Sequence, residues 1–97
     1  MDRMVSDWIL ETTEMAEGAI AMNRALLDAD LQEARFRAKL LQFQAVASGD
    51  ETLQDATGLV VRLLGPPGSA PGWGCGVAML AVSTRLGDRL AEHVAVT

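Results

Sequence analysis

The sequence predicts an all-α fold, a small helical bundle of about four helices with a Gly/Pro-rich loop before the last helix. Apolar residues recur every three to four positions along most of the 97-residue chain, which is the spacing of one face of a helix. No segment of strand length alternates apolar and polar residues between turn residues. All three prolines and five of the nine glycines lie within residues 65–76, which predicts the loop.

The length and composition indicate a single domain, residues 1–97. A chain of this length with 49% hydrophobic residues can form one core and is too apolar to be disordered. It has 13 acidic and 8 basic residues, a formal net charge of −5. Residues 1–30 account for all of this charge, with seven acids and two bases. Because phosphate binding needs clustered Lys and Arg, we expect no nucleic-acid partner.

We expect neither an export signal nor a membrane span. Acidic residues interrupt the apolar pattern near the N-terminus, where a signal peptide would be continuously apolar. The uncharged segment 63–84 is broken by prolines and glycines, so that only Val77–Val82 is continuously apolar. A bilayer span needs about 20 mostly apolar residues. One cysteine, Cys75, excludes an intrachain disulfide and favours a cytoplasmic location.

The first helix is expected to have two apolar stripes and an acidic side. One stripe consists of Met4, Trp8, Met15, Ala19, Met22 and Leu26. The other consists of Ile9, Ala16, Ile20 and Leu27. Carboxylates flank the first stripe at Asp7, Glu11, Glu14 and Glu17. Such a helix can contact two neighbours at once while its acidic side remains in solvent.

We favour a break at residues 28–30 and a second helix from about Leu31 to Ala47. Asp30 and Glu33 have the spacing of a capping box, which predicts a helix start. One long helix remains the alternative, because no glycine or proline marks a turn there. The inward residues of the second helix are expected to be Phe36, Leu40, Phe43 and Ala47.

The third and fourth helices are separated by the Gly/Pro-rich loop. Ser48 and Glu51 have capping-box spacing, and Gly49 lies beyond the preceding helix end. The third helix is expected to bury Leu53, Ala56, Val60, Leu63 and Leu64. The fourth runs from near Gly76 to about His93. Its expected seam is Val77, Leu80, Thr84, Gly87 and Ala91, widened by Met79, Val82, Leu86 and Leu90. This apolar breadth is typical of a central helix or an interface.

Few side chains suit catalysis, so we expect no enzyme, no cofactor and no metal site. His93 is the only histidine and has no obvious co-ligand. Cys75 has no second cysteine as a resolving partner. The glycine-rich loop contains no lysine, which a Walker phosphate loop requires. A small enzyme would need a pocket that joins Cys75 to His93 or to acidic groups.

The remaining candidates are contact residues for a protein partner. They are the acidic Asp7, Glu11 and Glu14, the basic Arg35 and Lys39, and Trp73 in the loop. A solvated polar face is the plain alternative for the charged residues. Trp73 is expected to fold over the end of the bundle.

Two segments, Ala25–Ala34 and Arg37–Leu41, resemble parts of histidine phosphotransfer domains, which are helical bundles of similar length. In that family the active histidine is followed, after one residue, by a leucine-lysine-glycine pattern. The matching positions here are Lys39, Leu41, Gln42 and Phe43, so the histidine, the lysine and the glycine are missing. The resemblance implies a four-helix bundle that docks two-component signalling partners, such as receiver domains, without accepting phosphate.

These observations favour a non-enzymatic interaction or regulatory protein of adaptor type, with protein–protein contacts as its activity. A homodimer is the expected assembly, because one core in 97 residues is small and burial against a second copy would stabilise it. The alternative is the phosphotransfer-like bundle without its histidine.

Overall fold

The computed structural model describes the backbone of residues 3–96 and the side chains of residues 7–92. In this range the chain forms four helices: α1 (Arg3–Leu27), α2 (Leu31–Ser48), α3 (Glu51–Leu64) and α4 (Cys75–Val96). The same residues contain no β-strand. The predicted all-α bundle is therefore confirmed. None of the described helices is both long enough and apolar enough to cross a bilayer.

The four helices form a closed ring of antiparallel neighbours. Each packs against the next one in sequence, α1 also packs against α4, and the diagonal pairs make no comparable contact within the described residues. The α1–α2 and α2–α3 connections have three and two residues, which forces a reversal of direction. Arg89 reaches Thr12 at one end of the α1–α4 pair, while Asn23 donates to Ser83 further along. The topology is therefore up-down-up-down.

The break predicted at residues 28–30 is confirmed. Ala29 has a φ of 58°, a left-handed conformation that reverses the chain and is uncommon for alanine. Asp30 then caps α2, because its Oδ1 accepts a hydrogen bond from the Glu33 backbone N–H at 3.2 Å. Two antiparallel helices therefore replace the single long helix that the sequence left as an alternative.

The cap predicted for α3 was wrong by two residues. Ser48 is the last residue of α2, and its hydroxyl donates back to the Ala45 carbonyl at 2.9 Å. Gly49 follows with a φ of 73°, the left-handed conformation that closes a helix and that glycine adopts without strain. Asp50 is the cap of α3, since its Oδ1 accepts from the Leu53 N–H at 2.9 Å.

The core consists of one inward stripe from each helix. The predicted first stripe of α1 is buried at Met15, Ala19 and Met22, and that of α3 at Leu53, Val60 and Leu64. The inward residues of α2 are Ala34, Ala38, Leu41 and Ala45. Those of α4 are Cys75, Ala78, Met79, Val82, Leu86 and Arg89.

The inward face predicted for α2 was wrong. Phe36 and Phe43 are 57% and 73% exposed, and Leu40 is also exposed. The helix is apolar on two opposite sides, and its alanine-rich side faces the core. Small residues allow close helix packing: a Cβ added to Gly18 of α1 would lie only 3.6 Å from Leu41. Bulky phenylalanines on the inner side would force the helices apart.

The inward seam predicted for α4 was also wrong. Val77 and Leu80 are exposed, together with Thr84, Gly87 and Ala91. Three of the four residues expected to widen the seam form the inner face instead, since Met79, Val82 and Leu86 are buried, whereas Leu90 is exposed. Met79, Val82 and Leu86 have larger side chains than Thr84, Gly87 and Ala91 of the predicted seam, so they fill the core more completely.

Residues 65–74 connect α3 to α4 without helical structure. Gly65 takes a φ of 69°, and a Cβ there would lie 2.6 Å from the Ser69 hydroxyl, so glycine is required. The backbone N–H of Gly72 donates to the Leu63 carbonyl, which returns the loop to the end of α3. Trp73 is 99% exposed. The prediction that it folds over the end of the bundle was therefore wrong.

Candidate functional site

One end of the bundle contains a buried arginine, Arg89 of α4, whose side chain is 1% exposed. Its Nη1 donates to Asp50 Oδ2 at 3.0 Å, its Nε to Thr12 Oγ1 at 3.2 Å, and its Nη2 to Glu11 Oε1 at 3.2 Å. The guanidinium carbon also lies 3.8 Å from the centre of the Trp8 ring, a cation–π contact. Arg89 therefore joins α4 to α1 and to the start of α3.

Arg85, one turn earlier on α4, binds both carboxylate oxygens of Asp50. Its Nη2 lies 2.8 Å from Asp50 Oδ2, and its Nη1 lies 2.8 Å from Glu92 Oε1. Burial by itself raises the pKa of Asp50, but hydrogen bonds from Arg85, Leu53 N–H and Arg89, with the charge of Arg85, outweigh it. The pKa of Asp50 falls from its ordinary 3.8 to about 2. The pKa of Arg85 is raised in turn, because its guanidinium donates hydrogen bonds to Asp50 and Glu92.

We call these residues the arginine cluster: Glu11, Thr12, Asp50, Arg85, Arg89 and Glu92. It contains two cations and three carboxylates, so it has no excess positive charge for an anionic ligand. Within the described side chains, every buried polar atom has a hydrogen-bond partner. A cleft of about 410 Å³ opens beside the cluster near Trp8 and Gly49. The geometry suits a clamp between helices, and Asp50 is too acidic to act as a general base near neutral pH.

Arg35, predicted as a partner contact, binds the loop of its own chain. Its Nε donates to the Gly65 carbonyl at 3.1 Å, and its Nη2 to the carbonyls of Leu64 and Ser69 at 3.3 and 2.7 Å. Carbonyls at a helix C-terminus lack helical partners and attract cations. Lys39 is exposed, and with Arg35, Phe36 and Pro67 it lines a surface cavity of about 500 Å³. The two predicted cations therefore border the same cavity, but Arg35 also binds the loop.

The predicted acidic contacts Asp7, Glu11 and Glu14 are all exposed on α1. Glu11 is also engaged by Arg89. Within the described part of the chain, no three His, Cys, Asp or Glu residues converge as metal ligands would.

Of the two residues considered for catalysis, the structure describes the side chain of Cys75. Cys75 is buried at the start of α4, and burial raises the pKa of its thiol. A raised pKa leaves less of the reactive thiolate at neutral pH. The side chain of His93 lies outside the described residues.

Two helices present apolar stripes to solvent. The α2 face consists of Phe36, Leu40, Phe43 and Ala47, and the α4 face consists of Val77, Leu80, Thr84, Gly87 and Ala91. Val77 and Leu80 are 73% and 64% exposed, and the exposed Trp73 lies in the loop, two residues before the start of α4. Because α2 and α4 are diagonal in the ring, the two faces point to opposite sides of the bundle. Extended apolar surface of this kind typically marks a contact site.

Scans against protein-family models, curated proteins and solved structures found no match. The described residues form a four-helix bundle with two outward apolar faces. Of the arginine cluster, only Glu11 is among the residues that the sequence pattern predicts, and Asp50, Arg85 and Arg89 are not. The available signal was the register of Arg89, which lies seven residues after Val82 and three after Leu86, on their buried side of α4.

Proposed function

We propose that this chain is a non-enzymatic interaction protein of adaptor type, which binds proteins through its outward apolar faces. One observation carries the proposal: the exposed stripe of Phe36, Leu40 and Phe43 lies opposite the buried alanine stripe of the same helix. A helix that is apolar on both sides has one side more than its own core needs. The second side is suited to bind another protein.

The spacing of the α2 face suits a helical partner. Phe36, Leu40, Phe43 and Ala47 follow one another at intervals of four, three and four residues, the repeat that packs one helix into the groove of another. Aromatic side chains at the centre of a contact commonly supply much of its binding energy. Arg37 lies 5.8 Å from the centre of the Phe36 ring and is paired with Glu33, so charged groups border the stripe as in a contact rim.

The remaining features agree with this proposal. The arginine cluster joins α1, α3 and α4 at one end of the bundle. The outward faces of α2 and α4 are not part of it. Neither the acidic net charge nor the engagement of Arg35 by the loop suits a nucleic-acid partner. The unpaired state of Cys75 supports the cytoplasm as the compartment. The partner is either another protein or a second copy of this chain.

The four-helix architecture also supports the second candidate, a phosphotransfer-like bundle that docks receiver domains without accepting phosphate. Such docking would use Lys39 and Phe36 beside the cavity described above. A pull-down with a panel of purified receiver domains tests it, with Lys39→Glu as the variant. Binding that is lost in this variant would favour this candidate over the general adaptor role.

The main proposal is tested by capture from a lysate of the source cells, with the purified chain as bait. The variant Phe36→Ser with Phe43→Ser removes the aromatic stripe, and Leu10→Ser with Leu59→Ser is the control, since both leucines are exposed elsewhere. Circular dichroism checks that both variants fold. We expect a stoichiometric partner, or the chain itself, to be retained by wild type and control and lost from the α2 variant.

The proposal fails if binding is identical for all three proteins and the chain remains monomeric at about 100 µM, which corresponds to about −5.5 kcal/mol of binding free energy.

A further inference from the structure

The α4 face has a gradient of side-chain size along its length. Its N-terminal half has Val77 and Leu80, its middle Thr84, and its C-terminal half Gly87 and Ala91. These positions are separated by three, four, three and four residues, the repeat of a helix–helix seam. All five are exposed, so the bundle itself does not use them.

Gly87 is not explained by the bundle. A Cβ at this position would meet no atom within 4 Å, and the φ of Gly87 is not in the left-handed region. Glycine within a helix destabilises it relative to alanine. An exposed helical glycine that neither crowding nor backbone conformation requires is expected where another backbone or a large side chain approaches closely.

We propose that α4 of a second copy of this chain covers this face, antiparallel to the first, with a two-fold axis at Thr84. The inference rests on the proposed interaction function and names the partner at this surface. In this arrangement Leu80 of each copy lies over the partner's Gly87, and Val77 lies over the partner's Ala91. Large residues therefore meet small ones at both ends. A parallel pair would place Leu80 on Leu80 and leave a gap between the glycines.

The charges are compatible with this arrangement. Arg85 and Asp88 line a groove along the α4 face. Arg85 is paired with Asp50 and Glu92, whereas Asp88 is exposed. In the antiparallel pair Asp88 lies level with the partner's Leu80, but on the opposite edge of the face from the contact between Leu80 and Gly87. The two Asp88 carboxylates are then about 12 Å apart along the axis at 1.5 Å per residue, too far for strong repulsion.

The expected affinity follows from the size of the face. Residues 77–91 extend over about 21 Å of helix that is about 10–12 Å wide, and the exposed Trp73 in the preceding loop can add about 150–250 Å². Over both copies these areas total about 700–1,000 Å², below the roughly 1,200 Å² at which stable specific interfaces begin and in the range of weak contacts. We therefore expect a weak dimer, with a dissociation constant of about 10–100 µM.

Disulfide cross-linking tests the orientation, in a background in which the buried Cys75 is replaced by Ala. Thr84→Cys should cross-link with itself, because it lies on the two-fold axis. Val77→Cys should not, because its two copies are about 21 Å apart along the helices. A mixture of Val77→Cys and Ala91→Cys should cross-link. Asp55→Cys, exposed on α3, is the control. Self-cross-linking of Val77→Cys, or no cross-linking of Thr84→Cys, would overturn the antiparallel pair.

Sedimentation equilibrium tests the surface, with variants that keep the fold. Leu80→Asp and Gly87→Leu should each weaken the dimer by at least about 30-fold, the effect of losing a central contact. Leu10→Asp is the control, because Leu10 is 60% exposed and Leu80 64%. A dimer that survives Leu80→Asp but is lost with Phe36→Ser and Phe43→Ser would overturn the α4 assignment and leave the proposed function intact. A monomer that also captures no partner would overturn both.

Discussion

Arg89 and Asp50 form an ion pair of 3.0 Å in which the side chains are only 1% and 4% exposed. The arginine comes from α4, and the aspartate caps α3 immediately after α2. The pair also reaches α1, because Arg89 donates to Thr12 and Glu11. One charged contact thus sets the axial position of α4 relative to the other helices at this end of the bundle.

Removal of Asp50 should be among the most damaging single changes in this chain. Asp50→Ala leaves Arg89 buried without its nearest counter-charge, a situation that costs about 3–5 kcal/mol, and it also removes the cap of α3. Urea denaturation followed by circular dichroism measures the change in the free energy of unfolding. Glu33→Ala is the control, since it breaks the exposed pair with Arg37 and should cost less than about 0.5 kcal/mol. Equal losses in the two variants would contradict the clamp.

The same aspartate predicts how stability depends on pH. Its pKa is about 2 in the folded chain, below the ordinary value of 3.8. A carboxyl group whose pKa is lowered by folding stabilises the protein above its unfolded pKa, and this stabilisation is lost as the pH falls through the folded pKa. The free energy of unfolding should therefore decline between about pH 4 and pH 2. In Asp50→Asn this part of the decline should be absent, which urea titrations at several pH values can show.

Two adjacent leucines test the orientation of α2. Leu41 is buried and Leu40 is exposed. Leu41→Ala should cost about 2–5 kcal/mol, the range for a buried leucine, whereas Leu40→Ala should cost less than about 1 kcal/mol. Thermal or urea unfolding of the two variants gives the comparison. The periodicity that placed Phe36, Leu40 and Phe43 inward predicts the reverse order, so the result chooses between the two faces.

Arg35 should stabilise the loop between α3 and α4. Arg35→Met keeps the aliphatic stem but removes the hydrogen bonds to Leu64, Gly65 and Ser69, and we expect a loss of about 1–3 kcal/mol. Hydrogen exchange and limited proteolysis should show faster opening of residues 65–74. The matched control is Arg37→Met, because Arg37 lies two residues further along α2 and pairs with Glu33 and not with the loop. If the loop of the Arg35 variant is as protected as that of wild type, the three hydrogen bonds do not hold it.

Helix boundaries could be predicted from the sequence because local chemistry determines them. Asp30 caps the second helix, Gly49 ends it in a left-handed turn, and Gly65 with the following prolines ends the third. The cap of α3 was assigned to Ser48 because Ser48 and Asp50 are both good capping residues. Gly49 lies between them and closes α2, so that Asp50 caps α3.

The faces of α2 and α4 could not be predicted because both helices are apolar on opposite sides. The stripes of α2 have the same period and differ in phase, so periodicity alone does not distinguish them. The larger side chains of α2 are on its exposed stripe, and its alanines are buried. Small residues on the inner side let the four helices pack closely. The buried Arg89 was missed for a related reason: its partners Asp50 and Thr12 are 39 and 77 residues away, and sequence spacing does not reveal such contacts.

The diagonal placement of α2 and α4 has a consequence for valency. If two copies join through their α4 faces, that contact closes on itself, and each copy keeps its α2 face on the side away from the axis. The pair then presents two identical aromatic docking surfaces pointing in opposite directions. A partner that is itself paired or arrayed could bind both, and its second contact would form at a high effective concentration, with an overall affinity well above that of either contact alone.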